Sequence, residues 1–462
     1  MERAERPRIV LAGVSSGVGK TTVVTGLVAL LHQKGLSVQP FKVGPDYIDP
    51  GFHAKAAGRD SYNLDTWLVP EEKLAGTFAA LSEGADISII EGVMGLYDGG
   101  GKGVSSTAQI AKILRAPVVL VVNCQSIGTS AAAIALGYKL YDPALNLAGV
   151  ILNKLGSDKH EAMIREAMEE VEIPVFGALH RDLELKTPER HLGLTPVTEI
   201  ETKDLIAHMA EDASRWLDVD ALLAAAKEAP ALDIEEDRGE KQTKTVRIGV
   251  AQDPAFTFYY PTSLSALERR GAELVPFSPI HDSAVPDVDG LVFGGGFPEM
   301  FLKELSGNEP MKASIRRAAA SGMPIYAECG GLMYLCREIA GFEGETYAMA
   351  GLVPAVCRMQ KKLQRVGYVT AKALRPSIVA ETGDELRGHE FHFSTLEGDE
   401  DPFAWAYELR GTRQKESHLE GFAKDNVVAS YLHMNFDGNP GAADRLIASC
   451  FAYREKKEKA NE

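Results

Sequence analysis

The segment that most restricts the fold lies near the N-terminus. There Arg8-Ile-Val-Leu-Ala12 forms a short apolar strand, followed by Gly13-Val-Ser-Ser-Gly-Val-Gly-Lys-Thr-Thr22 and a helical run to Gln33. A strand delivered through a glycine loop into a helix is the opening of a βαβ unit, and repeated units build a mainly parallel, right-handed sheet. The loop itself is a phosphate-binding loop. Gly17 and Gly19 let backbone N–H groups converge on phosphate oxygens, Lys20 reaches the β- and γ-phosphates, and the hydroxyls of Thr21 and Thr22 follow, that of Thr21 toward Mg²⁺. The strict pattern has a glycine where Val14 stands, and here Gly13 lies one step earlier.

Further strands support the same site. Val38-Gln-Pro-Phe-Lys-Val-Gly-Pro-Asp-Tyr-Ile-Asp-Pro50 places Lys42, Asp46, Tyr47 and Asp49 just past a second strand, at the edge where open α/β sheets bind ligands. Ile87-Ser-Ile-Ile-Glu91 is a third strand, and its terminal carboxylate is placed for Mg²⁺, directly or through water. Any one of these acids alone reads as a solvated loop charge; three at successive strand ends beside a phosphate loop read as a site. Residues 116–122 and 147–152 are apolar at nearly every position, as strands buried on both faces are. Helical stretches at 107–115, 130–141 and 159–171 have the length of crossovers, so a doubly wound sheet is expected.

A polar stretch around Ala229-Pro-Ala231 reads as a linker. The expected division is therefore an ATP-binding domain at 1–228, a linker at 229–245, a second α/β domain at 246–455 and a charged tail at 456–462. In the second domain, strands are expected at 246–250, 273–277, 289–293, 323–327 and 426–432, and helices at 261–270 and 310–321. Pro324-Ile-Tyr-Ala-Glu-Cys-Gly-Gly-Leu-Met-Tyr334 reads as a buried strand entering a tight turn and a helix, with Cys329 at the bend. A sulfur at a helix N-terminus is expected to have a lowered pKa, and the Gly330 amide points where an oxyanion would form. A lone cysteine is otherwise a packing group. Two distant segments favour the nucleophile: Gly294-Gly-Gly-Phe-Pro-Glu299 offers the amides of Gly295 and Gly296, and Ser430-Tyr-Leu-His433 puts an imidazole at a strand end.

This order of strand, glycine loop, cysteine elbow and late histidine resembles the class I glutamine amidotransferase domain. Arg387-Gly-His-Glu-Phe-His-Phe-Ser394 and the glycine run narrow the resemblance to the branch attached to cobyrinic acid amidation. Such glutaminases carry a Glu two residues after the histidine, where this chain has Asn435, so the third catalytic position stays open between Asn435, read as orienting the imidazole, and no contribution from it. The N-terminal loop resembles the dethiobiotin synthetase branch of phosphate-loop proteins. Lys42-Val-Gly-Pro-Asp-Tyr-Ile-Asp-Pro50 and Glu91-Gly-Val-Met-Gly-Leu-Tyr-Asp-Gly99 resemble the signature of the cobyrinate a,c-diamide synthase family, over about residues 8–450.

That resemblance implies ATP and Mg²⁺, with Gly17, Gly19, Lys20, Thr21, Thr22 and Asn153 on the nucleotide and Thr21, Asp46 and Glu91 on the metal. It implies Lys42, Asp46, Tyr47 and Asp98 at the substrate being activated. Asn153 is read either as an adenine contact or as a strand-end cap. The implied reaction is amidation of two acetate side chains of a tetrapyrrole through an acyl phosphate, with nitrogen from glutamine or ammonia. Cys329 and His433 would release that ammonia over an oxyanion site of Gly330, Gly295 and Gly296. Cobyrinate, hydrogenobyrinate and nickel sirohydrochlorin all fit. Selectivity among them is expected near Tyr47, Phe52, His53 and Tyr97, each of which equally suits packing. The alternative of another class is a ParA-like ATPase switch with an inactive glutaminase domain.

Composition agrees with an enzyme of this kind. A net charge of −16 argues against nucleic acid as a partner, while Lys20, Lys42 and Arg59 supply local positive charge for an acidic substrate. Five cysteines without paired spacing point to a reducing cytoplasm, and no apolar run reaches the ~18 residues of a membrane span. The sequence is compatible with a homodimer.

Overall fold

A computed structural model describes residues 2–181, 199–234, 245–398, 403–413 and 416–461. It divides into two compact units, one of Met1–Thr66 with Pro70–Asp237, the other of Trp67–Val69 with Arg238–Glu462.

The first unit contains β1 (Glu2–Ala4), β2 (Arg8–Gly13), β3 (Val38–Val43), β4 (Tyr62–Leu64), β5 (Ile87–Glu91), β6 (Val118–Asn123), β7 (Leu147–Leu155), β8 (Val175–His180) and β9 (Leu232–Ile234). Its helices are α1 (Lys20–Gln33), α2 (Asp49–Ala57), α3 (Glu71–Leu81), α4 (Thr107–Ile113), α5 (Ser130–Tyr141), α6 (Asp158–Glu170), α7 (Glu199–Trp216) and α8 (Val219–Lys227). Seven strands form one sheet in the order β4-β3-β5-β2-β6-β7-β8, and every neighbouring pair is parallel. The unbroken apolar runs are explained by burial on both faces. Along β2, Ile9 and Leu11 enter a core shared with α1, α2, α7 and α8, while Val10 and Ala12 enter another shared with α3 to α6. The chain leaves central β2 for β3 on one side and later reaches β6 on the other, so the loop after β2 lies at a topological switch point.

Outside this sheet, β1 pairs antiparallel with β9. Arg8, fully buried, donates to the carbonyls of Leu114, Arg6 and Pro230 at 2.6, 2.8 and 2.7 Å. Thus β9 forms within the stretch read as linker, whose residues 235–244 lie outside the described residues.

The second unit contains β10 (Val246–Ala251), β11 (Ala272–Phe277), β12 (Gly290–Phe293), β13 (Ile325–Glu328), β14 (Cys336–Ala340), β15 (Thr346–Ala348) and β16 (Val353–Met359). It continues with β17 (Arg365–Ala373), β18 (Glu385–His392), β19 (Ser394–Gly398), β20 (Trp405–Gly411), β21 (Ser417–Lys424), β22 (Val427–Ser430) and β23 (His433–Met434). Its helices are α9 (Pro261–Arg269), α10 (Leu302–Gly307), α11 (Glu309–Ala320), α12 (Gly330–Leu335) and α13 (Pro440–Asn461). The main sheet runs β11-β10-β12-β13-β22-β21-β20-β17-β18-β23. Its first five strands are parallel, as expected, but β21 onward is antiparallel, so the sheet is mixed rather than doubly wound throughout. A second sheet has the order β15-β14-β16-β19. Ile325 and Ala327 of β13 point into one core and Tyr326 into the other, which sets the side on which each following residue emerges. The expected charged tail continues α13 as far as Asn461. No described helix is long and apolar enough to cross a membrane, and all five cysteines are free and buried.

Candidate active sites

At the end of β2 the chain turns into α1 through Gly19, whose φ of 92° lies in the left-handed region. A Cβ there would lie 2.4 Å from Asn153 Nδ2, so only glycine fits both the turn and its neighbour. Asn153 Nδ2 donates to the Val18 carbonyl at 2.7 Å and braces the loop from the end of β7. Lys20 Nζ folds back to the carbonyls of Met94 (2.6 Å) and Ser15 (3.3 Å), and burial lowers its pKa. A cavity of about 870 Å³ is lined by Gly17, Gly19, Lys20, Thr21, Thr22 and Asn153, together with Lys42, Asp46, Asp49, Phe52 and Glu91.

Parallel register sets Lys42 on β3 directly opposite Glu91 on β5. Lys42 Nζ lies 2.8 Å from Glu91 Oε1 and 2.7 Å from Asp49 Oδ2, and the Thr21 hydroxyl donates to the same two oxygens at 2.8 and 3.2 Å. His53 Nε2 lies 2.7 Å from Glu91 Oε2. Burial pulls the Lys42 pKa down, but Glu91, Asp46 and Asp49 more than reverse this and keep it an ammonium. Burial likewise raises the Glu91 pKa, and Lys42 and His53 outweigh it, so Glu91 stays ionised.

Asp46, expected on the metal, lines the cavity with its Oδ2 3.8 Å from Lys42 Nζ, and its other oxygen caps the helix that follows. Its Oδ1 accepts the amides of Ile48 (2.8 Å) and Asp49 (3.0 Å), forming the entry to α2, and burial followed by repulsion from Asp49 raises its pKa. Asp49 instead shares the Thr21 hydroxyl. The signal for Asp49 and His53 was their i, i+4 spacing, which puts both on one face of α2. Asp98 Oδ2 accepts the Gly95 amide at 3.1 Å, and neither Asp98 nor Tyr47 lines the cavity. His53 is fully buried against Glu91 and so packs rather than forms an open substrate surface, whereas Tyr97, stacked on Tyr138, is half-buried and lines a separate cavity of about 410 Å³. Arg59 bonds the Ser37 hydroxyl and is likewise outside the cavity lining.

In the second unit β13 enters α12 through Cys329, at φ 45° and ψ −100°, a strained conformation for a non-glycine residue. The Gly331 amide donates to the Gly294 carbonyl at 3.0 Å and draws the glycine loop onto the helix start. A Cβ on Gly330 would lie 3.0 Å from the Gly296 nitrogen, and one on Gly295 would lie 2.7 Å from His433 Cε1. Gly296, at φ 155°, would place a Cβ 2.0 Å from the Ala255 carbonyl oxygen, so this approach also requires glycine. The elbow, glycine loop and histidine therefore converge. The Gly294 amide is engaged elsewhere, donating to the Tyr259 hydroxyl at 2.8 Å.

Electrostatics depart from expectation at the sulfur. Burial pushes the Cys329 pKa well up and the Glu299 carboxylate adds to the rise, with the Gly330 amide opposing, so the resting group is a thiol. The six-residue α12 is too short for its dipole to offset this. His433 Nδ1 lies 3.6 Å from Glu328 Oε2, and its ring stacks on His389, which bonds the Tyr260 hydroxyl at 2.7 Å. Asn435 is turned away: its Nδ2 donates to Thr262 Oγ1 at 3.0 Å and its Oδ1 accepts the Asp437 amide at 2.8 Å. Sequence reasoning missed Glu328 and His389 as neighbours of His433, and Tyr260 as the partner of His389. The pairing of His389 with His433 across β18 and β23 is long-range, and only the motif at 387–394 hinted at it.

Residues 9–194 match the family model of the CobQ/CobB/MinD/ParA nucleotide binding domain, and residues 247–441 match that of the CobB/CobQ-like glutamine amidotransferase domain. The chain is 46% identical over 459 residues to a cobyrinate a,c-diamide synthase of Dehalococcoides mccartyi, with 96% of this chain and 97% of that protein covered. It is 43% identical to a hydrogenobyrinate a,c-diamide synthase of Streptomyces coelicolor, covering 96% and 97%. It is 42% identical to a cobyrinate a,c-diamide synthase of Leptospira interrogans, covering 96% and 98%. With a nucleotide-binding unit and a glutaminase unit each matched and the likeness running through both, the chain belongs to the cobyrinate a,c-diamide synthase family.

Proposed function

We propose that this protein amidates the a- and c-acetate carboxylates of cobyrinate, or of the closely related hydrogenobyrinate, using ATP and either glutamine or ammonia. The observation that carries the reading is the convergence of Lys20, Thr21, Lys42, Asp49 and Glu91 on one cavity, in a chain whose glycine loop also meets His433 at Gly295 and the cysteine elbow at Gly330. A carboxylate resists attack because a nucleophile meets an anion with no leaving group. Phosphorylation removes both obstacles: a carboxylate oxygen bonds to the γ-phosphorus, ADP leaves, and ammonia then displaces phosphate from the carbonyl carbon.

Lys20 and Lys42 offset the phosphate charge. Thr21, Asp49 and Glu91 bring a hydroxyl and two carboxylates together, with Asp49 Oδ2 and Glu91 Oε1 now facing the Lys42 ammonium; these hard-oxygen groups are the ones that would hold Mg²⁺. When bound, that ion would supply further charge neutralisation at the phosphates. Among the described residues no cluster of three or more His, Cys, Asp or Glu side chains is placed to hold a metal.

At the other site the Cys329 sulfur bonds to the glutamine amide carbon while its proton passes to His433 and on to the departing ammonia. Amides of Gly330, Gly295 and Gly296 receive the oxyanion, and water hydrolyses the thioester to glutamate. The five free thiols support a reducing, cytoplasmic setting.

The test is to supply ATP, Mg²⁺ and glutamine with cobyrinate, hydrogenobyrinate or nickel sirohydrochlorin, and to identify products by mass spectrometry. Diamide from cobyrinate or hydrogenobyrinate, with ADP formed in step, is expected. Product from nickel sirohydrochlorin alone, or from none of the three, would overturn the reading.

A further inference from the structure

The residue immediately before the nucleophile has no role in the reaction just described. Glu328 ends β13, on the same side of the strand as Tyr326 and opposite to Ala327. Its carboxylate is nearly buried, and both ends of it are accounted for. Oε1 accepts the Tyr326 hydroxyl at 2.6 Å and the Met434 amide at 3.3 Å. Oε2 faces His433 Nδ1 at 3.6 Å. The two bonds to Oε1 fix the carboxylate, and one of them comes from the peptide that follows His433. The same group thus holds the backbone of β23 and addresses the imidazole that β23 carries.

We propose that Glu328 is the positioning residue for His433, taking the place of a carboxylate two residues further along the chain, where Asn435 stands. This rests on the reading of Cys329 and His433 as nucleophile and proton acceptor.

The chemistry asks for such a group. When the Cys329 sulfur attacks, its proton must reach a ring nitrogen of His433, and the other nitrogen then carries a hydrogen on what has become a cation. With Nδ1 turned to Glu328, that hydrogen meets a fixed anion, and Nε2 is left as the atom that takes the thiol proton. A carboxylate in this position selects the tautomer and stabilises the imidazolium, without itself taking the proton. A separation of 3.6 Å is an ion-pair distance just beyond hydrogen-bond reach, and catalytic contacts of this kind tighten when substrate binds. Burial and the neighbouring Glu328 both raise the Tyr326 pKa, so its hydroxyl stays protonated and remains a donor. Asn435 cannot serve instead, because Thr262 and the Asp437 amide occupy its side chain.

The experiment compares Glu328→Gln, Glu328→Asp and Tyr326→Phe with the unaltered enzyme, measuring glutamine-dependent and ammonia-dependent synthesis and the kcat and KM for glutamine. Glu328→Gln should cut glutamine-dependent kcat by about 10²-fold or more, with KM changed little and ammonia-dependent synthesis retained, because a lost orienting carboxylate acts on the transition state. Glu328→Asp should recover part of that loss. Tyr326→Phe, which removes an Oε1 bond and leaves the carboxylate, should lose far less than Glu328→Gln. A kcat for Glu328→Gln within about threefold of the unaltered enzyme would overturn the proposal, as would equal losses from Glu328→Gln and Tyr326→Phe, which would mark a structural role. Cys329→Ala and His433→Ala serve as controls. If they retain glutamine-dependent activity, the reading of the site itself has failed; if they abolish it while Glu328→Gln does not, only the positioning role has failed.

Discussion

The rings of His389 and His433 lie parallel, with centroids 4.8 Å apart and planes 9° from each other. Antiparallel register places the two residues opposite one another on β18 and β23. Burial, with the His433 ring beside it, takes the His389 pKa well below the usual histidine range. His389 therefore stays neutral and acts as a flat support. An aromatic pair contributes ~0.5–1.5 kcal/mol, so His389→Ala should reduce glutamine-dependent turnover by up to about tenfold and spare the ammonia reaction. Steady-state assays with the two nitrogen sources decide it; equal loss with both would show a folding defect instead.

Cys329→Ala should abolish synthesis from glutamine while synthesis from high ammonium persists, because the acyl phosphate forms without the thiol. Equal loss with both nitrogen sources would refute the division of labour.

Lys20→Ala should stop synthesis from either source and leave glutamine hydrolysis measurable. The shared Thr21 hydroxyl separates two neighbouring acids: Asp49→Asn should raise the Mg²⁺ concentration needed for half-maximal rate more than Asp46→Asn does. The reverse order would return the metal role to Asp46.

Asn435→Ala removes two hydrogen bonds within the second unit, each contributing ~1 kcal/mol. The expected outcome is a lowered urea midpoint with only mild change in glutamine-dependent kcat. A kinetic loss approaching that of Cys329→Ala, confined to glutamine, would instead indicate a working Cys-His-Asn set.

Glu420 provides the pH test. Burial raises its carboxyl to about 8, against ~4.3 for an unfolded glutamate. Between those values the folded state holds a proton that the unfolded state has lost, so stability is greatest below the lower value and falls as pH rises toward the upper one. Glu420→Gln should flatten that decline and be the more stable form at pH ~8, by ~2–4 kcal/mol. Urea unfolding at pH ~5 and ~8 measures the difference, and an identical pH slope in both proteins would count against it.

How much could be read beforehand depended on the range of the interactions. The strand and glycine loop at 8–22 and the elbow at Cys329 are local, and their apolar runs carry the burial that makes them strands. The parallel halves of both units followed from the same runs. The strands between Cys336 and Lys424 did not: β17, for example, mixes exposed and buried residues between β20 and β18, without the unbroken apolar run of the parallel strands. Asp49 and Asp46 are indistinguishable by composition, and only the turn into α2 decides which carboxylate caps and which faces Thr21. Glu328 was hidden for a further reason. A residue beside a nucleophile reads as part of the strand until its long-range partner, here His433, is placed.

Arg8 carries a consequence for how the nucleotide unit is made. Its guanidinium is bonded to a carbonyl 222 residues later, at Pro230, and leaving that one donor buried without its acceptor would cost about 1–3 kcal/mol. During synthesis this side chain leaves the ribosome long before its last acceptor exists. Closure of the unit must then be a late event, completed only when β9 arrives to pair with β1. A fragment that stops at 228 would lack both the acceptor and the strand and should accumulate as a partly open chain, whereas six more residues would let the same polypeptide shut.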